Sequence, residues 1–223
     1  MDAKQIIARR VALELRDRTL VNLGIGLPTL VSRYVPHGMD VAFQSENGII
    51  GFGSHPPEGM EDPNLTDAGG GFISALPGAV SFDSVFSFAL IRGGHLDMTV
   101  LGGLQIDEHG HLANWMVPGK LVPGMGGAMD LVAGARRVVV AMQHSARGTA
   151  KIVPKLTLPP TSTRRVSLIV TELAVIEPTD DGLLLRERGP GVSLETIAAQ
   201  TGARLIIEGE IPEMQLHRHP GGA

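Results

Sequence analysis

The chain has 223 residues, of which 43% are hydrophobic and 19% are charged, and its formal net charge is −4. This composition is typical of a globular domain, and the mild acidity gives no electrostatic argument for binding nucleic acid or an anionic membrane. The absence of cysteine excludes disulfides, thiol catalysis and thiolate metal sites. Neither the apolar core of a signal peptide nor the ~18 apolar residues of a membrane span is present, so we expect a cytoplasmic protein without a membrane segment.

The first part of the chain alternates predicted helices with short predicted strands. Apolar side chains four residues apart predict an amphipathic helix over residues 3–15. A short strand at residues 20–23 ends at the turn Gly24-Ile25-Gly26, and Pro28 favours the start of a helix that reaches residue 35. This G-x-G pattern lacks the third glycine of a dinucleotide-binding fingerprint, so it does not predict a nicotinamide site.

A second short strand, residues 41–43, leads into the turn Glu46-Asn47-Gly48. Asn-Gly is a turn dipeptide, and a side chain just past the carboxyl end of a strand stands where open α/β sheets bind their ligands. Taken alone, Glu46 is either a hydrogen-bond anchor of the turn or an exposed nucleophile. Asn47 is expected either to orient that carboxylate or to favour the turn.

The middle of the chain contains a long irregular segment and an aromatic one. Residues 51–71 are rich in glycine, proline and acidic side chains, and we expect this loop to lie near the mouth of a site. Residues 72–88 hold four of the six phenylalanines and are expected to pack in the core, with a short helix ending near Arg92. Two further glycine turns, Gly102-Gly103 and residues 124–127, favour a close approach between backbone and ligand.

The remaining predicted elements complete a single domain. In chain order they are a strand at residues 98–101, a hairpin over 104–115, a helix at 128–132, strands at 138–141 and 167–170, a hairpin turning at 179–182, a helix at 193–200 and a strand at 205–207. This alternation predicts an α/β fold with a mixed sheet covered by helices on both faces. We place the domain at residues 1–210 and a C-terminal tail at residues 211–223.

A series of ordered motifs runs along nearly the whole chain, from about Ala3 to Ile206. The motifs are Asn22-Leu23-Gly24-Ile25-Gly26-Leu27-Pro28-Thr29, Ser45-Glu46-Asn47-Gly48-Ile49, Arg92-Gly93-Gly94-His95, Leu112-Ala113-Asn114-Trp115, Pro118-Gly119-Lys120 and Gly124-Met125-Gly126-Gly127-Ala128-Met129-Asp130-Leu131. Together they resemble the B (β) subunit of family I CoA-transferases, the 3-oxoacid CoA-transferases. The resemblance implies a single-domain α/β fold of the CoA-transferase (NagB/RpiA-like) type, with an open, mostly parallel sheet.

The resemblance also implies a reaction. The glutamate of the family's Ser-Glu-Asn-Gly motif matches Glu46, which would act as the nucleophile of a ping-pong transfer through a glutamyl-CoA thioester. Ionised carboxylates need no general base to attack, which fits this role. Coenzyme A would be substrate and covalent intermediate with no permanently bound cofactor, and succinyl-CoA with a 3-oxo acid such as acetoacetate is the expected pair. The implied partner is the A (α) subunit of the same enzyme type, which has the same fold, in an α₂β₂ complex.

The resemblance suggests that the glycine loops line the coenzyme A site. Candidates for binding coenzyme A or stabilising an oxyanion are Gly24, Gly26, Asn47, Gly102, Gly103, Lys120, Gly126 and Gly127. Each glycine is equally explained by turn geometry, and Lys120 by a solvated loop. Asn22 is expected either to hydrogen-bond the pantetheine amides or to close a turn.

Other interpretations of the residues stay open. The histidines do not predict a metal site, because His109 and His111 occupy a hairpin turn without a third ligand nearby. A sugar-phosphate isomerase or deaminase of similar fold would need basic residues around the glycine loops, and few are present. The alternatives closest to the expected reaction are transfer to 3-oxoadipate or a short-chain fatty acid, and hydrolysis of acyl-CoA by the same glutamate. Two departures from the family pattern, Gln143 and Thr157, leave Glu46 untouched but bear on substrate specificity.

Overall fold

The computed structural model describes residues 1–119 and 125–217. The helices within them are α1 (Ala3–Ala12), a 3₁₀ helix (Leu27–Tyr34), α2 (Ser84–Arg92), α3 (Ala128–Gly134) and α4 (Leu194–Gln200). The strands are β1 (Thr19–Leu23), β2 (Val41–Ser45), β3 (Ile49–Phe52), β4 (Ala75–Ser81), β5 (Met98–Leu101), β6 (Gln105–Asp107), β7 (Leu112–Ala113), β8 (Arg137–Ala141), β9 (Ser145–Ala146), β10 (Thr149–Ala150), β11 (Ile152–Val153), β12 (Leu168–Val170), β13 (Ala174–Pro178), β14 (Leu183–Arg188) and β15 (Leu205–Ile206). None of the helices in these two stretches is long and apolar enough to cross a membrane.

Ten of the strands form one sheet, in the order β15-β14-β13-β12-β8-β5-β1-β2-β3-β4. The five strands from β12 to β2 are parallel to one another, and antiparallel pairs extend the sheet on both sides. The mixed, mostly parallel open sheet predicted above is therefore confirmed. The chain leaves β1 toward β2 on one side and returns as β5 on the other, so a topological switch point lies between β1 and β5.

Hydrophobic clusters cover both faces of the sheet. In β8, Val138 and Val140 belong to the cluster on the α3 and α4 side, whereas Val139 and Ala141 belong to the cluster on the α1 side. All four are buried, as expected for a central parallel strand with helices above and below. Ile7 of α1 is fully buried in the cluster on the α1 side. The burial of this one side chain contributes about 1.5–3 kcal/mol to the free energy of unfolding.

The two N-terminal helices differ from their predicted form because their turns are tighter. The prediction extended α1 to residue 15, but the N–H groups of Glu14 and Leu15 bond to carbonyls three residues back, so the α-helix ends at Ala12. The predicted helix over residues 29–35 is a 3₁₀ helix at Leu27–Tyr34. There the hydroxyls of Thr29 and Ser32 donate to carbonyls three residues back, at 2.7 and 2.8 Å, and compete with the α-helical pattern.

The aromatic segment lies largely at the surface and only its second half is helical: Ala75–Ser81 is the strand β4, which the sequence did not predict, and the predicted helix begins at Ser84. Asp83 caps α2 by accepting a hydrogen bond from the N–H of Phe86 at 2.8 Å. Phe86 is nevertheless 54% exposed and Phe72 37% exposed, so the expectation that this segment packs in the core is wrong for both. Spacing four residues apart places apolar side chains on one helix face without indicating whether the chain's own core covers that face.

The first residues of the expected C-terminal tail pack against the domain. Ile211 and Met214 are buried, and the N–H of Met214 donates to the carbonyl of Arg188 at 2.8 Å. Residues 218–223 lie outside the described residues. The packing of the domain therefore continues past residue 210 at least as far as Met214.

Candidate active site

A pocket of about 540 Å³ lies at the carboxyl ends of β1, β2 and β5. Its lining comprises Gly24, Ile25, Glu46, Ala68, Leu101, Gly102, Gly103, Leu104, Asn114, Trp115, Met125, Gly126, Gly127, Ala128 and Leu131. Among these described residues Glu46 is the single ionisable side chain. The position is the crevice where open α/β sheets bind ligands. Six of the predicted site residues meet here: Gly24, Glu46, Gly102, Gly103, Gly126 and Gly127.

The turn that carries Glu46 is built around Gly48. Ser45 pairs with Ile49 across the β2–β3 hairpin, and the N–H of Gly48 donates to the carbonyl of Ser45 at 3.0 Å. Gly48 has φ +121°, and a Cβ there would lie 2.0 Å from the carbonyl oxygen of Phe82. No other residue fits this position, so the sequence Glu-Asn-Gly fixes a tight turn that presents Glu46 to the pocket.

A buried chain of polar side chains orients the carboxylate. Thr99 donates its hydroxyl to Asn22 Oδ1 at 3.0 Å, so the amide nitrogen of Asn22 points toward Gln44 Oε1 at 2.8 Å. The same nitrogen lies 3.4 Å from Glu46 Oε2. Gln44 Nε2 in turn donates to Ser87 Oγ at 2.9 Å. Asn22, Gln44, Ser87 and Thr99 are fully buried, so every member of the network has a fixed direction.

Sequence reasoning missed most of this network. For Asn22 it offers a contact with the pantetheine amides or a turn, and the structure instead buries this side chain against Gln44 and Glu46. Thr99 and Gln44 are not among the predicted site residues. The sequence does contain one indication of the network, which is a polar residue inside an otherwise apolar strand. A polar side chain that is buried there needs a hydrogen-bond partner.

Asn47 and the loop before β4 secure the turn from outside. Asn47 Nδ2 donates to the carbonyl of Thr66 at 2.7 Å, so of its two predicted roles the structure favours the turn. Ser45 Oγ accepts a hydrogen bond from the N–H of Ala68 at 2.9 Å. Since Ala68 lines the pocket, the loop expected near the site mouth does reach it.

The glycine loops contact the site in different ways. The N–H of Gly24 is already donated to the carbonyl of Val100 at 2.8 Å, so it is not free for a ligand. Among the described residues, no protein acceptor is found for the N–H groups of Gly102, Gly103, Gly126 or Gly127, which leaves them available as oxyanion donors. Gly26 and Asn47 do not line the pocket, and Lys120 lies outside the described residues.

Two glycines are required for packing at the site. A Cβ on Gly127 would lie 3.2 Å from Glu46 Cγ and 3.3 Å from the ring of Phe88. A Cβ on Gly103 would lie 2.7 Å from the sulfur of Met142. The opposite wall is fixed by Asn114, which donates to the carbonyl of Gly102 at 3.1 Å and accepts from the hydroxyl of Thr161 at 2.7 Å.

The histidines lie apart from this pocket. Burial lowers the pKa of His144 to about 4, and its ring nitrogens contact the hydroxyls of Thr171 and Thr201, each at 2.9 Å. His111 Nδ1 lies 3.1 Å from Asp107 Oδ2. In the part of the chain that the structure describes, no group of three His, Asp or Glu side chains is arranged to hold a metal ion.

Sequence comparisons agree on one family. The coenzyme A transferase family matches residues 4–200. The beta subunit of the acetate CoA-transferase of Escherichia coli (strain K12) is 55% identical over 212 residues, covering 95% of this chain and 97% of that protein. The B subunit of the succinyl-CoA:3-ketoacid coenzyme A transferase of Helicobacter pylori (strain ATCC 700392 / 26695) is 47% identical over 205 residues, covering 92% of this chain and 99% of that protein.

Solved structures show the same fold. The apoenzyme of the acyl-CoA transferase YdiF from Escherichia coli O157:H7 superposes with a TM-score of 0.76 at 24% identity, over 96% of this chain. This chain spans 43% of the length of that protein. The likeness at this identity concerns the fold.

Proposed function

Because this chain belongs to the coenzyme A transferase family, we propose that it transfers coenzyme A from an acyl-CoA to a carboxylic acid through a glutamyl-CoA thioester on Glu46. The observation that carries the proposal is the place of Glu46, which is the ionisable side chain of the described pocket lining and lies at the sheet's switch point. The same lining contains glycine N–H groups that have no acceptor among the described residues. Coenzyme A acts as substrate and covalent intermediate, with no resident cofactor.

The first half-reaction loads the enzyme. A carboxylate oxygen of Glu46 attacks the thioester carbonyl carbon, the carbon–sulfur bond breaks, and a mixed anhydride and the coenzyme A thiolate form. The thiolate then attacks Cδ of the glutamyl anhydride, and the carbon–oxygen bond breaks to release the first acid. An acceptor carboxylate reverses these two steps, which regenerates Glu46 and releases the new acyl-CoA.

Each of these attacks places negative charge on a carbonyl oxygen. Preorganised N–H donors stabilise such an oxyanion, and the loss of one typically costs ~2.7–4 kcal/mol of barrier. The N–H groups of Gly102, Gly103, Gly126 and Gly127 are the candidate donors, because the protein leaves them unpaired within the described residues. Asn22, held by Thr99, restricts the direction from which Glu46 attacks.

We propose acetoacetate as the acceptor, with succinyl-CoA or a similar acyl-CoA as donor, and acetate as the second candidate. The name of the 55% identical relative favours acetate, and that of the 47% identical relative favours a 3-oxo acid. A higher kcat/KM for 3-oxoadipate than for acetoacetate would contradict this choice.

The relatives of similar length are named as one of two subunits, and we propose that this chain likewise works with an α subunit, in an α₂β₂ complex. The cytoplasmic location expected from the sequence remains part of this proposal.

The test of the mechanism is Glu46→Gln in the complex with the α subunit. The amide keeps the shape of the side chain and removes the nucleophile, so transfer from acetoacetyl-CoA to succinate should be lost with assembly unchanged. Glu46→Asp shortens the reach by ~1 Å and should lower kcat roughly 10²-fold. Glu58→Gln, on the exposed loop, is the matched control and should be fully active. Transfer by the Glu46→Gln complex would refute the mechanism. Hydrolysis of acetoacetyl-CoA without transfer by the wild-type complex would favour the acyl-CoA hydrolase alternative.

A further inference from the structure

Four exposed apolar side chains lie close together in the chain, and we name them the edge patch: Leu76 and Val80 of β4, and Val85 and Phe86 of α2. These side chains are 50%, 53%, 79% and 54% exposed, respectively. With Phe72 they make five of the eleven large hydrophobic side chains that are exposed in the described residues, all within residues 72–86. Such a concentration of exposed apolar groups marks an interaction surface.

The edge patch lies on an unpaired side of the sheet. β4 pairs with β3 on one side and is the last strand in the order, so its other side is free of a strand within the described residues. The strand is irregular between Leu76 and Val80, because its register with β3 shifts between Ile50 and Phe52 and Gly78 has φ +89°. Residues 75–82 carry no charged side chain. Edge strands are normally protected from pairing with another strand by charged side chains or by proline. Here Pro77 gives that protection, so a partner is expected to dock on the apolar side chains and not to extend the sheet.

The edge patch is continuous with the catalytic turn. The N–H of Phe82, between β4 and α2, donates to the carbonyl of Gly48 at 2.9 Å. Phe82 also packs edge-to-face on Phe86, with ring centroids 5.2 Å apart. Two residues later on α2, the ring of Phe88 would lie 3.3 Å from a Cβ added to Gly127, and the same Cβ would lie 3.2 Å from Glu46 Cγ. A protein seated on the edge patch would therefore also reach the mouth of the pocket.

We infer that the edge patch is the docking surface for the α subunit, and this inference rests on the function proposed above. The solved acyl-CoA transferase of the same fold is more than twice as long as this chain, which covers 43% of it, so there the equivalent unit is joined to further protein. The chains that match this one along their whole length are named as subunits. A patch that is apolar, uncharged and adjacent to the nucleophile suits a permanent partner that completes the active site.

Photo-crosslinking in the complex co-expressed with the α subunit tests the location. A benzophenone amino acid at position 85 should cross-link to the α subunit. The same group at position 207, where Ile207 is 46% exposed beside β15 at the opposite end of the sheet, is the matched control and should not. A cross-link from position 85 to a second copy of this chain, no cross-link there, or equal cross-linking from both positions would overturn the inference.

Val85→Asp tests the contribution to binding. Val85 follows the cap of α2 by two residues, where a carboxylate is favoured by the helix dipole, so the chain should fold normally. Burying that charge in an apolar interface should weaken the association between the two subunits roughly tenfold or more, measured by sedimentation at low concentration. Ile207→Asp should associate like the wild type. Normal association of Val85→Asp would overturn the docking surface, whereas transfer by Glu46→Gln would refute the function separately.

Discussion

Gly127→Ala tests the proposed role of Glu46 with a single methyl group. Gly127 has φ −84°, a conformation open to alanine, so the substitution strains contacts and not the backbone. The new Cβ would stand 3.2 Å from Glu46 Cγ and 3.3 Å from Glu46 Oε1, both shorter than an ordinary van der Waals contact. Glu46 must therefore move by a few tenths of an ångström.

The size of the effect follows from that displacement. A misplacement of ~1 Å at a reacting atom can cost roughly 10²-fold in rate, so a shift of ~0.3–0.5 Å corresponds to a decrease in kcat of about 4- to 10-fold. This is less than the decrease expected for Glu46→Asp. The N–H of residue 127 is retained, so the loss would not come from a missing oxyanion donor.

The assay is steady-state transfer between acetoacetyl-CoA and succinate by the complex with the α subunit, with thermal unfolding as the check on folding. Gly102→Ala is the matched control, because it adds the same methyl to the same pocket with no described atom of the protein within 4 Å. Its effect is expected in KM, with kcat retained. An unchanged kcat for Gly127→Ala, or an equal loss of kcat in both variants, would refute the reasoning.

Three further substitutions test the supports of the site and of the fold. Gly48→Ala places a Cβ 2.0 Å from the carbonyl oxygen of Phe82 at φ +121°, so we expect a loss of about 3 kcal/mol or more and a melting temperature lower by at least ~6 °C; a smaller change would contradict the turn. Thr99→Val leaves Asn22 Oδ1 buried without its donor, which should lower the free energy of unfolding by about 1–3 kcal/mol and reduce kcat, while Thr149→Val at the surface should do neither. The pKa of His144 is about 4 in the folded chain against an ordinary value of 6.5, so the unfolded chain binds more protons between these pH values and stability falls as the pH drops through them, by about 3 kcal/mol. Urea unfolding at several pH values should show that slope, and His144→Gln should flatten it; an identical slope in the variant would assign it to other groups.

The position of Glu46 could be predicted from the sequence because its signals are local. A short apolar run followed by Asn-Gly specifies a strand and a turn within a few residues, and the structure has β2 ending at Ser45 with Glu46 on the turn. The hairpins β6–β7 and β13–β14 carry the same kind of local signal and are also found. The meeting of Gly24, Glu46 and Gly102 followed from the general rule on where open sheets bind ligands.

The buried network could not be predicted, because it depends on strand register. Asn22 meets Gln44 and Thr99 only because β1 lies between β2 and β5 with those residues paired side by side. When parallel strands are joined by long connections, the sequence does not show which strands lie side by side or which of their residues are paired. Thr99 is therefore visible in the sequence as a polar residue in an apolar strand, but its partner is not.

The exposure of Phe86 has a related cause. An apolar helix face is required equally by a core and by a contact with another protein, and the spacing is the same in both cases. A core face and a contact face differ in whether the rest of the chain covers them. Phe86 follows β4, which is the last strand of the sheet, and that position is a property of the whole topology. The same error would recur for any protein whose interface is built from regular amphipathic elements.

The central claim is that Glu46 carries coenzyme A during the reaction, and covalent trapping tests it most directly. The complex with the α subunit would be incubated with acetoacetyl-CoA in the absence of an acceptor acid, quenched with hydroxylamine, and digested for peptide mapping by mass spectrometry. We predict a hydroxamate on Glu46, absent from the Glu46→Gln complex and from a sample without acyl-CoA. An active complex that shows no modification at Glu46, or a modification on another carboxylate, would contradict the account.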